Sequence, residues 1–250
     1  MRFRPTLWPT LFTVPALILL LGLGTWQVER LQWKEGLIAT RTTRSSGPPI
    51  ALPADSADPE SYEFSKTALA GRFLNDKEMY LAARSLNGNT GFHVVTPFLL
   101  DDGRAILIDR GWIPLDRKDP TTRAEGELAG RVSVDGLLRA SQKQSWLVPD
   151  NDPKMNVWFY VDVPAMAREA GLARVEPYFI EAGPAKNPGG YPIGGQSHIE
   201  LPNNHLEYAI TWYSFAVSLA VIYFLYHRNL AREEEAKRRA GADGEPAGEA

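Results

Sequence analysis

One of the four histidines in this chain lies in a setting that suits a metal ligand. His205 follows Pro202-Asn203-Asn204, which predicts a helix start, because an Asn side chain can accept hydrogen bonds from the free N–H groups of a first turn. The same helical face continues through an aromatic and small-residue stripe: Tyr208, Ala209, Trp212 and Ala216. The positive end of the helix dipole disfavours imidazolium and leaves a neutral imidazole able to bind a metal. A flat, lipid-soluble macrocycle that carries iron would find an axial ligand and aromatic walls there.

Simpler explanations exist for all four histidines. Trp and Tyr are enriched at membrane interfaces, and a His beside them is ordinary there. His93 lies in an apolar predicted strand, His198 in a glycine-containing loop, and His227 at the end of an apolar helix, where a basic residue is expected. No Gly-x-Ser-x-Gly, His-Glu-x-x-His, phosphate-binding loop or dinucleotide motif occurs. We therefore expect no enzyme, and a membrane-bound periplasmic enzyme is the most distant alternative.

A second candidate lies in Arg110-Gly111-Trp112, which follows the apolar strand Ala105–Asp109. Gly111 permits a tight turn or a bulge. The guanidinium of Arg110 could pair with a carboxylate, and a haem propionate is one such group. Asp109 beside it offers an ordinary structural partner, so both interpretations of Arg110 stand at this point.

The elements that must position these residues begin with two apolar segments, one near each end of the chain. Leu7–Leu23 and Ala209–Tyr226 contain 17 and 18 residues without a charge, close to the ~20 residues that cross the hydrocarbon of a bilayer as a helix. They predict two transmembrane helices with the lipid bilayer as a partner. A cleaved signal peptide is the alternative for the first segment, but Gly24-Thr25-Trp26-Gln27 offers no small-x-small cleavage site.

Basic residues predict the orientation. Five of them follow the second span: Arg228, Arg232, Lys237, Arg238 and Arg239. No Lys or Arg lies between Lys186 and that span, so the positive-inside rule places the C-terminus in the cytoplasm. The basic residues after the first span argue weakly for the reverse, but long segments translocate largely regardless of charge. In a bacterium this predicts a multi-pass protein of the inner membrane whose main domain is periplasmic.

The predicted boundaries follow from these spans. They are a cytoplasmic N-terminus (1–6), transmembrane helix 1 (7–23), a periplasmic domain (24–208), transmembrane helix 2 (209–226) and a cytoplasmic disordered tail (227–250). The tail loses apolar content and ends in Gly, Pro, Ala and Glu, which is typical of a solvated helix end followed by disorder.

Composition excludes several classes of function. The chain has no Cys, which removes disulfides, thiolate zinc sites and covalent haem attachment. With four Met residues and no Met-x-x-Met pair, a copper carrier with soft sulfur ligands is disfavoured. The net charge is -3 with both signs mixed, so nucleic acid is not expected as a partner.

The segment between the spans predicts one mainly antiparallel β domain. The first helix should continue out of the membrane, because Trp26, Arg30, Trp33 and Leu37 repeat at helical spacing, and Gly47-Pro48-Pro49 should end it. Seven strand-like runs follow: Phe64–Phe73, Met79–Ala83, Phe92–Leu100, Ala105–Asp109, Val132–Leu138, Val157–Val161 and Glu176–Glu181. Pro164–Ala170 predicts one short helix. The fold class is then a membrane protein of the α+β type, with two terminal transmembrane helices flanking one extracytoplasmic β domain.

The order of several motifs between the two spans resembles the Surfeit locus protein 1 family of cytochrome c oxidase assembly factors, in its bacterial form. The motifs are Leu23-Gly24-Thr25-Trp26-Gln27-x-x-Arg30-x-x-Trp33-Lys34, Thr67–Phe73 with Glu78-Met79-Tyr80, Gly91–Phe98, Asp109–Pro114, Pro192–Gln196, and Asn204-His205-Leu206-x-Tyr208-Ala209-x-Thr211-Trp212-Tyr213. Asp109 stands where Asn is common in the family, and Trp112 where Phe is frequent. The resemblance covers nearly the whole chain.

The resemblance implies a function at the membrane. It implies an assembly factor for haem–copper (aa3-type) cytochrome c oxidase that receives haem a from its synthase, holds it transiently and non-covalently, and assists its insertion into subunit I. His205, in the Asn-His-Leu-x-Tyr-Ala block, is then the candidate axial ligand of the haem iron, with Tyr208, Trp212 and Arg110 as further haem-binding candidates. The alternative is a cofactor-free membrane chaperone that stabilises immature subunit I.

Overall fold

The structure of the protein, a computed structural model, describes residues 5–53 and 58–243. The chain divides into two compact units. The helical unit comprises 1–37 and 202–250, and the β unit comprises Ile38–Leu201. The helices are α1 (Leu7–Ser46), α2 (Val163–Glu169) and α3 (His205–Asp243). The strands are β1 (Lys66–Phe73), β2 (Met79–Leu86), β3 (Asn89–Leu100), β4 (Ala105–Pro114), β5 (Val132–Ala140), β6 (Val157–Trp158) and β7 (Val175–Ala182).

The first helix agrees with the sequence prediction. It continues far beyond the first apolar span and ends at Ser46, directly before Gly47. Both terminal helices are long and apolar enough to cross a membrane. Only 6% and 11% of their most apolar 18-residue stretches are buried within the protein. A helix in the core of a soluble protein would be mostly buried, so these surfaces indicate association with a membrane.

The predicted disordered tail is wrong over most of its length. The α3 helix continues through residue 227 and ends only at Asp243, and residues 244–250 lie outside the described residues. The segment after Leu230 is rich in Ala, Glu, Lys and Arg, which are strong helix formers. The side chain of Arg239 donates to Glu235 one turn earlier at 2.9 Å, a pairing that supports an exposed helix.

Hydrogen bonds at both ends of the helical unit show that α1 and α3 lie antiparallel. Near the start of α1, the hydroxyls of Thr10 and Tyr223 are 2.6 Å apart. Further along, those of Thr25 and Tyr213 are 3.1 Å apart. Gly24 permits this close approach, because a Cβ there would lie 2.8 Å from the ring of Tyr213. Small residues at such a contact are typical of paired membrane helices.

The β unit is built on a seven-stranded sheet with the order β1-β5-β7-β4-β3-β2-β6. Strand β1 pairs with β5 along one edge and with the end of β3 along the other, so five strands close into a small barrel. The sheet is mainly antiparallel, as predicted, but β4–β7 and β2–β6 are parallel pairs. The predicted sixth strand, Val157–Val161, is shortened to two residues, because the Asn151 side chain accepts the Phe159 N–H at 2.8 Å in place of a neighbouring strand.

Two apolar layers lie on the two faces of this sheet. The barrel interior contains Phe98, Leu100, Ile106, Ile108, Leu138, Tyr178 and Ile180. Side chains alternate between the faces of a strand, so their neighbours Leu107 and Phe179 lie outside the barrel, where Val163 and Met166 of α2 cover them. The α2 helix begins one residue earlier than predicted, with the Asp162 carboxylate accepting the Ala165 N–H at 3.0 Å.

Candidate functional site

His205, the predicted metal ligand, forms a hydrogen bond with Gln27, which lies 178 positions earlier in the chain. His205 is the first residue of α3, and the Asn204 carbonyl accepts the helical N–H of Tyr208 at 3.3 Å. Nδ1 of His205 lies 2.6 Å from Oε1 of Gln27 on α1. An amide oxygen can only accept a hydrogen bond, so Nδ1 carries the proton. The lone pair of the neutral ring is then on Nε2.

The Gln27 side chain is buried, with 8% of its surface exposed, whereas His205 is half-buried. A buried acceptor fixes the orientation and the tautomer of the ring, which is the usual role of the group behind a metal-binding histidine. The arrangement can therefore present one neutral imidazole nitrogen at the start of a helix. Sequence reasoning placed Trp26 on the helix that leaves the membrane and assigned no role to Gln27, since nothing local shows which distant residue a Gln meets.

The predicted aromatic and small-residue stripe on α3 separates into two parts. Ala209 and Ala216 are almost fully buried, at 2% and 3% exposure. Tyr208 is 54% exposed, and Trp212 is half-buried with its ring edge-on to Phe215 at a centroid distance of 6.2 Å. The alanines form the close-packed face of the helix, and the aromatic rings flank it. Trp212 and Tyr208 thus remain near His205 on the helix, but on a more open surface.

Arg110 lies at a different place in the protein, within the β unit. It is the extra residue of a β-bulge, since Val94 pairs with Gly111 and Val95 with Asp109. Gly111 has a φ of 111°, as expected of a glycine at a bulge. The Arg110 guanidinium is 2% exposed, donates to the Glu78 carboxylate at 3.3 Å and to the Gly126 carbonyl, and stacks on the Phe73 ring at 4.5 Å.

These contacts show a buried ion cluster, and the predicted structural partner of Arg110 is wrong. Arg123 donates to Glu78 at 2.5 Å and also to Glu127, so two guanidiniums share two carboxylates. Burial lowers the pKa of Arg110, and the carboxylates of Glu127 and Glu78 oppose that shift. Burial, followed by the nearby charge of Glu78, raises the pKa of Glu127 to about 7. Asp109 takes no part, because one of its oxygens accepts the Gly111 N–H at 3.0 Å and the other bonds His93.

The remaining histidines have partners or surfaces of their own. Nδ1 of His93 lies 2.9 Å from Oδ2 of Asp109 within the sheet, as a satisfied strand residue should. His198 is exposed in a loop. His227 differs from the prediction of a simple interfacial base: it is 1% exposed, and its Nε2 accepts the Thr6 N–H at 3.1 Å.

Within residues 5–53 and 58–239, no cluster of three or more His, Asp or Glu side chains could hold a metal ion. A bare ion needs several protein ligands. Iron in a macrocycle already has four ring nitrogens and needs only one or two from the protein. The single prepared nitrogen of His205 fits the second case.

Comparison with known families and proteins gives one consistent result. The SURF1 family profile matches residues 14–217 of this chain. A SURF1-like protein of Monosiga brevicollis is 40% identical over 228 residues, which cover 86% of this chain and 85% of that protein. Surfeit locus protein 1 of Mus musculus is 36% identical over 218 residues, covering 81% of this chain and 70% of the relative. Its Homo sapiens counterpart is 36% identical over 219 residues, covering 81% and 72%.

Proposed function

The chain belongs to the SURF1 family, and on that premise we propose that it is an assembly factor for haem–copper (aa3-type) cytochrome c oxidase. We propose that it binds haem a through His205 and assists its insertion into oxidase subunit I. The family, the two apolar helices and the geometry of His205 support this proposal. Haem a is cargo in this scheme, so the protein only binds and releases it.

The hydrogen bond between His205 and Gln27 carries the proposal. A histidine that is merely an interfacial residue has no need of a buried acceptor at 2.6 Å that selects one tautomer. A metal ligand does, because the lone pair must stay on a known nitrogen and point in one direction. When bound, haem a would supply the iron atom that Nε2 of His205 ligates.

The neighbouring side chains suit a large apolar guest. Trp212 and Tyr208 flank His205 on the more open surface of α3 and offer ring faces to a flat macrocycle. Gly24 permits the close approach of α1 and α3 in this part of the helical unit, where Gln27 meets His205. Arg110 is left out of this proposal, because its guanidinium is already occupied by Glu78 and the Gly126 carbonyl.

A single protein ligand also suits a transient carrier. Among the described residues of this site, only His205 offers a ring nitrogen to the iron. One protein bond would therefore hold the iron, and release would require the loss of that bond alone. We propose haem a synthase as the donor and subunit I as the acceptor of the haem.

We also propose that the main domain lies on the periplasmic side of a bacterial inner membrane. Reporter fusions after Leu230 and in the β unit test this orientation. A cytoplasmic β unit would contradict it.

The central experiment replaces His205. We expect His205→Ala to leave the protein inserted and cooperatively folded but to abolish or shift the Soret band of the chain purified from a haem a-producing host. The yield of active oxidase should fall with it. His198→Ala is the matched control, since His198 is exposed and belongs to the β unit.

Two results would decide against the proposal. A native Soret band and full oxidase yield with His205→Ala would remove His205 as the ligand. If the wild-type chain retains no haem a while oxidase assembly still depends on it, the protein is a chaperone without a cofactor.

A further inference from the structure

A cavity of about 630 Å³ in the β unit has no part in the function proposed above. Its size falls within the range of about 300–1,000 Å³ that is usual for small-molecule sites. It lies on the outer face of the sheet, where Leu81 and Phe179 continue the apolar layer that α2 covers. We propose that this cavity binds a small organic oxyanion, a carboxylate or a phosphate, through the guanidiniums of Arg84 and Arg41 and the imidazole of His93.

The charges that line the cavity leave a surplus of hydrogen-bond donors. The two acidic residues of the lining each have a partner: Asp109 accepts from Gly111 and bonds His93, and Oε1 of Glu181 accepts from Arg139 at 2.5 Å. Oε2 of Glu181 has no hydrogen-bond partner among the described residues. Arg84 donates only to a neutral group, the Phe159 carbonyl, at 3.1 Å among the described contacts. A guanidinium without a carboxylate partner in a concave site favours an anionic ligand.

Arg41 and His93 extend this donor set. The Arg41 guanidinium lies 4.5 Å from the Phe64 ring and, within the described part of the chain, forms no ion pair. Asp109 holds Nδ1 of His93 and leaves Nε2 free for a ligand. An entering oxyanion can accept a hydrogen bond from Nε2 when both ring nitrogens carry protons, with Asp109 accepting from Nδ1.

The backbone around the cavity supports a functional role independently of charge. Of the four non-glycine residues described with positive φ, three line this cavity: Phe64 at 65°, Ala83 at 56° and Asn87 at 50°. Asn87 and Gly88 form the two-residue turn between β2 and β3, where positive φ is the usual geometry. At Phe64 and Ala83 such conformations cost about 1–3 kcal/mol each, and they cluster at functional sites. In β2 the strain accompanies a bulge between Leu81 and Arg84. In a regular strand these residues would point to opposite faces, whereas here both line the cavity.

The ligand class follows from the lining as a whole. The lining combines these donors with four apolar side chains: Phe64, Leu81, Val161 and Phe179. A carboxylate or phosphate attached to an apolar body fits this combination. Such a group occurs both in free metabolites and in lipid headgroups, and the experiment separates these two sources.

The test uses the full chain in phosphatidylcholine nanodiscs. Calorimetric titration with succinate, benzoate and inorganic phosphate probes free anions, and nanodiscs doped with phosphatidate probe a headgroup, detected as a rise in melting temperature over undoped discs. We expect saturable binding of at least one probe, weakened about tenfold or more by Arg84→Gln and by His93→Gln, since each removes a charge-assisted hydrogen bond. Saturation by a free anion assigns the site to a solute, and a response to phosphatidate alone assigns it to a lipid.

The matched control is Arg72→Gln, which removes an equal charge from an exposed part of β1 that does not line this cavity. It should change the affinity by less than about twofold. If Arg84→Gln fails to melt cooperatively, Arg41→Gln carries the same test. The proposal is overturned if no probe binds saturably to the wild-type chain, or if Arg72→Gln weakens binding as much as the cavity variants do.

Discussion

The two units of this protein solve the same problem, how to keep polar side chains inside a fold, in opposite ways. The described side-chain hydrogen bonds between α1 and α3 join uncharged groups, such as Thr10 with Tyr223 and Gln27 with His205. The β unit instead buries ions, with Arg110 and Arg123 against Glu78 and Glu127. Isolated charges are costly in hydrocarbon, whereas a protein interior tolerates them when every ion has partners.

The difference is clearest in two histidines whose Nδ1 bonds a side chain. His205 is held by an amide at 2.6 Å, and His93 by a carboxylate at 2.9 Å. An amide oxygen at His205 takes Nδ1–H and leaves Nε2 for a ligand such as a metal. The carboxylate at His93 makes the same contact with Nδ1 and adds a negative charge beside the ring. The two histidines therefore share one geometry and differ in the charge of the acceptor.

The largest expected effect comes from changing Gly111 in the β unit, whose backbone N–H donates to Asp109. A Cβ at Gly111 would lie 1.9 Å from the Ile193 carbonyl oxygen, and φ is 111°. We expect Gly111→Ala to lower the free energy of unfolding by about 3–5 kcal/mol, from the clash together with the strain, and Gly111→Glu to be worse. Denaturant unfolding of the purified chain measures this.

Gly103 provides the control, because its φ is 83° but no atom lies within 4 Å of a Cβ built there. Gly103→Ala should cost only about 1–2 kcal/mol, the strain of the left-handed backbone alone. Equal losses for the two variants would mean that the contact with Ile193 contributes nothing.

The next prediction concerns the hydrogen bond between Gln27 and His205 in the helical unit. Gln27→Leu keeps the size of the side chain but removes the acceptor from His205, so we expect the affinity for haem a to fall about 10–100-fold. Gln27→Glu restores an acceptor and should recover most of that affinity. Titration of the purified chain with haem a, followed at the Soret band, gives both values.

Gln32→Leu is the matched control for this pair, since Gln32 is an exposed glutamine on the same helix. It should bind haem a like the wild type. An unchanged affinity with Gln27→Leu would show that the hydrogen bond does not prepare His205 for a metal.

The smallest effect concerns the ions of the β unit. The pKa of Glu127 is raised from its ordinary value of 4.5 to about 7 in the folded protein. The folded state therefore binds more protons than the unfolded state between these values, and the contribution to stability is present below pH 4.5 and lost as the pH rises to about 7. We expect a loss of about 1 kcal/mol, less than the full shift would give, because the carboxylate is partly exposed and solvent screens its interactions.

Glu127→Gln should flatten this pH dependence, since Gln does not titrate, while Glu125→Gln at an exposed position should not. Urea unfolding at about pH 5 and about pH 7 gives the two slopes. A wild-type slope in Glu127→Gln would assign the pH dependence to other groups.

Local features of the chain were predictable because they depend on neighbours in sequence. Two uncharged apolar runs predict the terminal helices, Pro202-Asn203-Asn204 predicts the start of α3 at His205, and Gly111 predicts a bulge at the end of an apolar strand. The continuation of α3 to Asp243 was also readable from its strong helix formers, but low apolar content there was interpreted as disorder.

Pairings between distant residues depended on the tertiary structure. The closure of the barrel by β1 and β3, the parallel pair β4–β7 and the choice of Glu78 over Asp109 by Arg110 leave no periodic trace in the sequence. The candidate site shows both sides. The sequence determines that an imidazole stands at the start of a membrane helix, since capping and apolar periodicity are local. Only the packing of α1 against α3 decides that Gln27 meets it, because an amide 178 residues away is selected by geometry and not by its own neighbours.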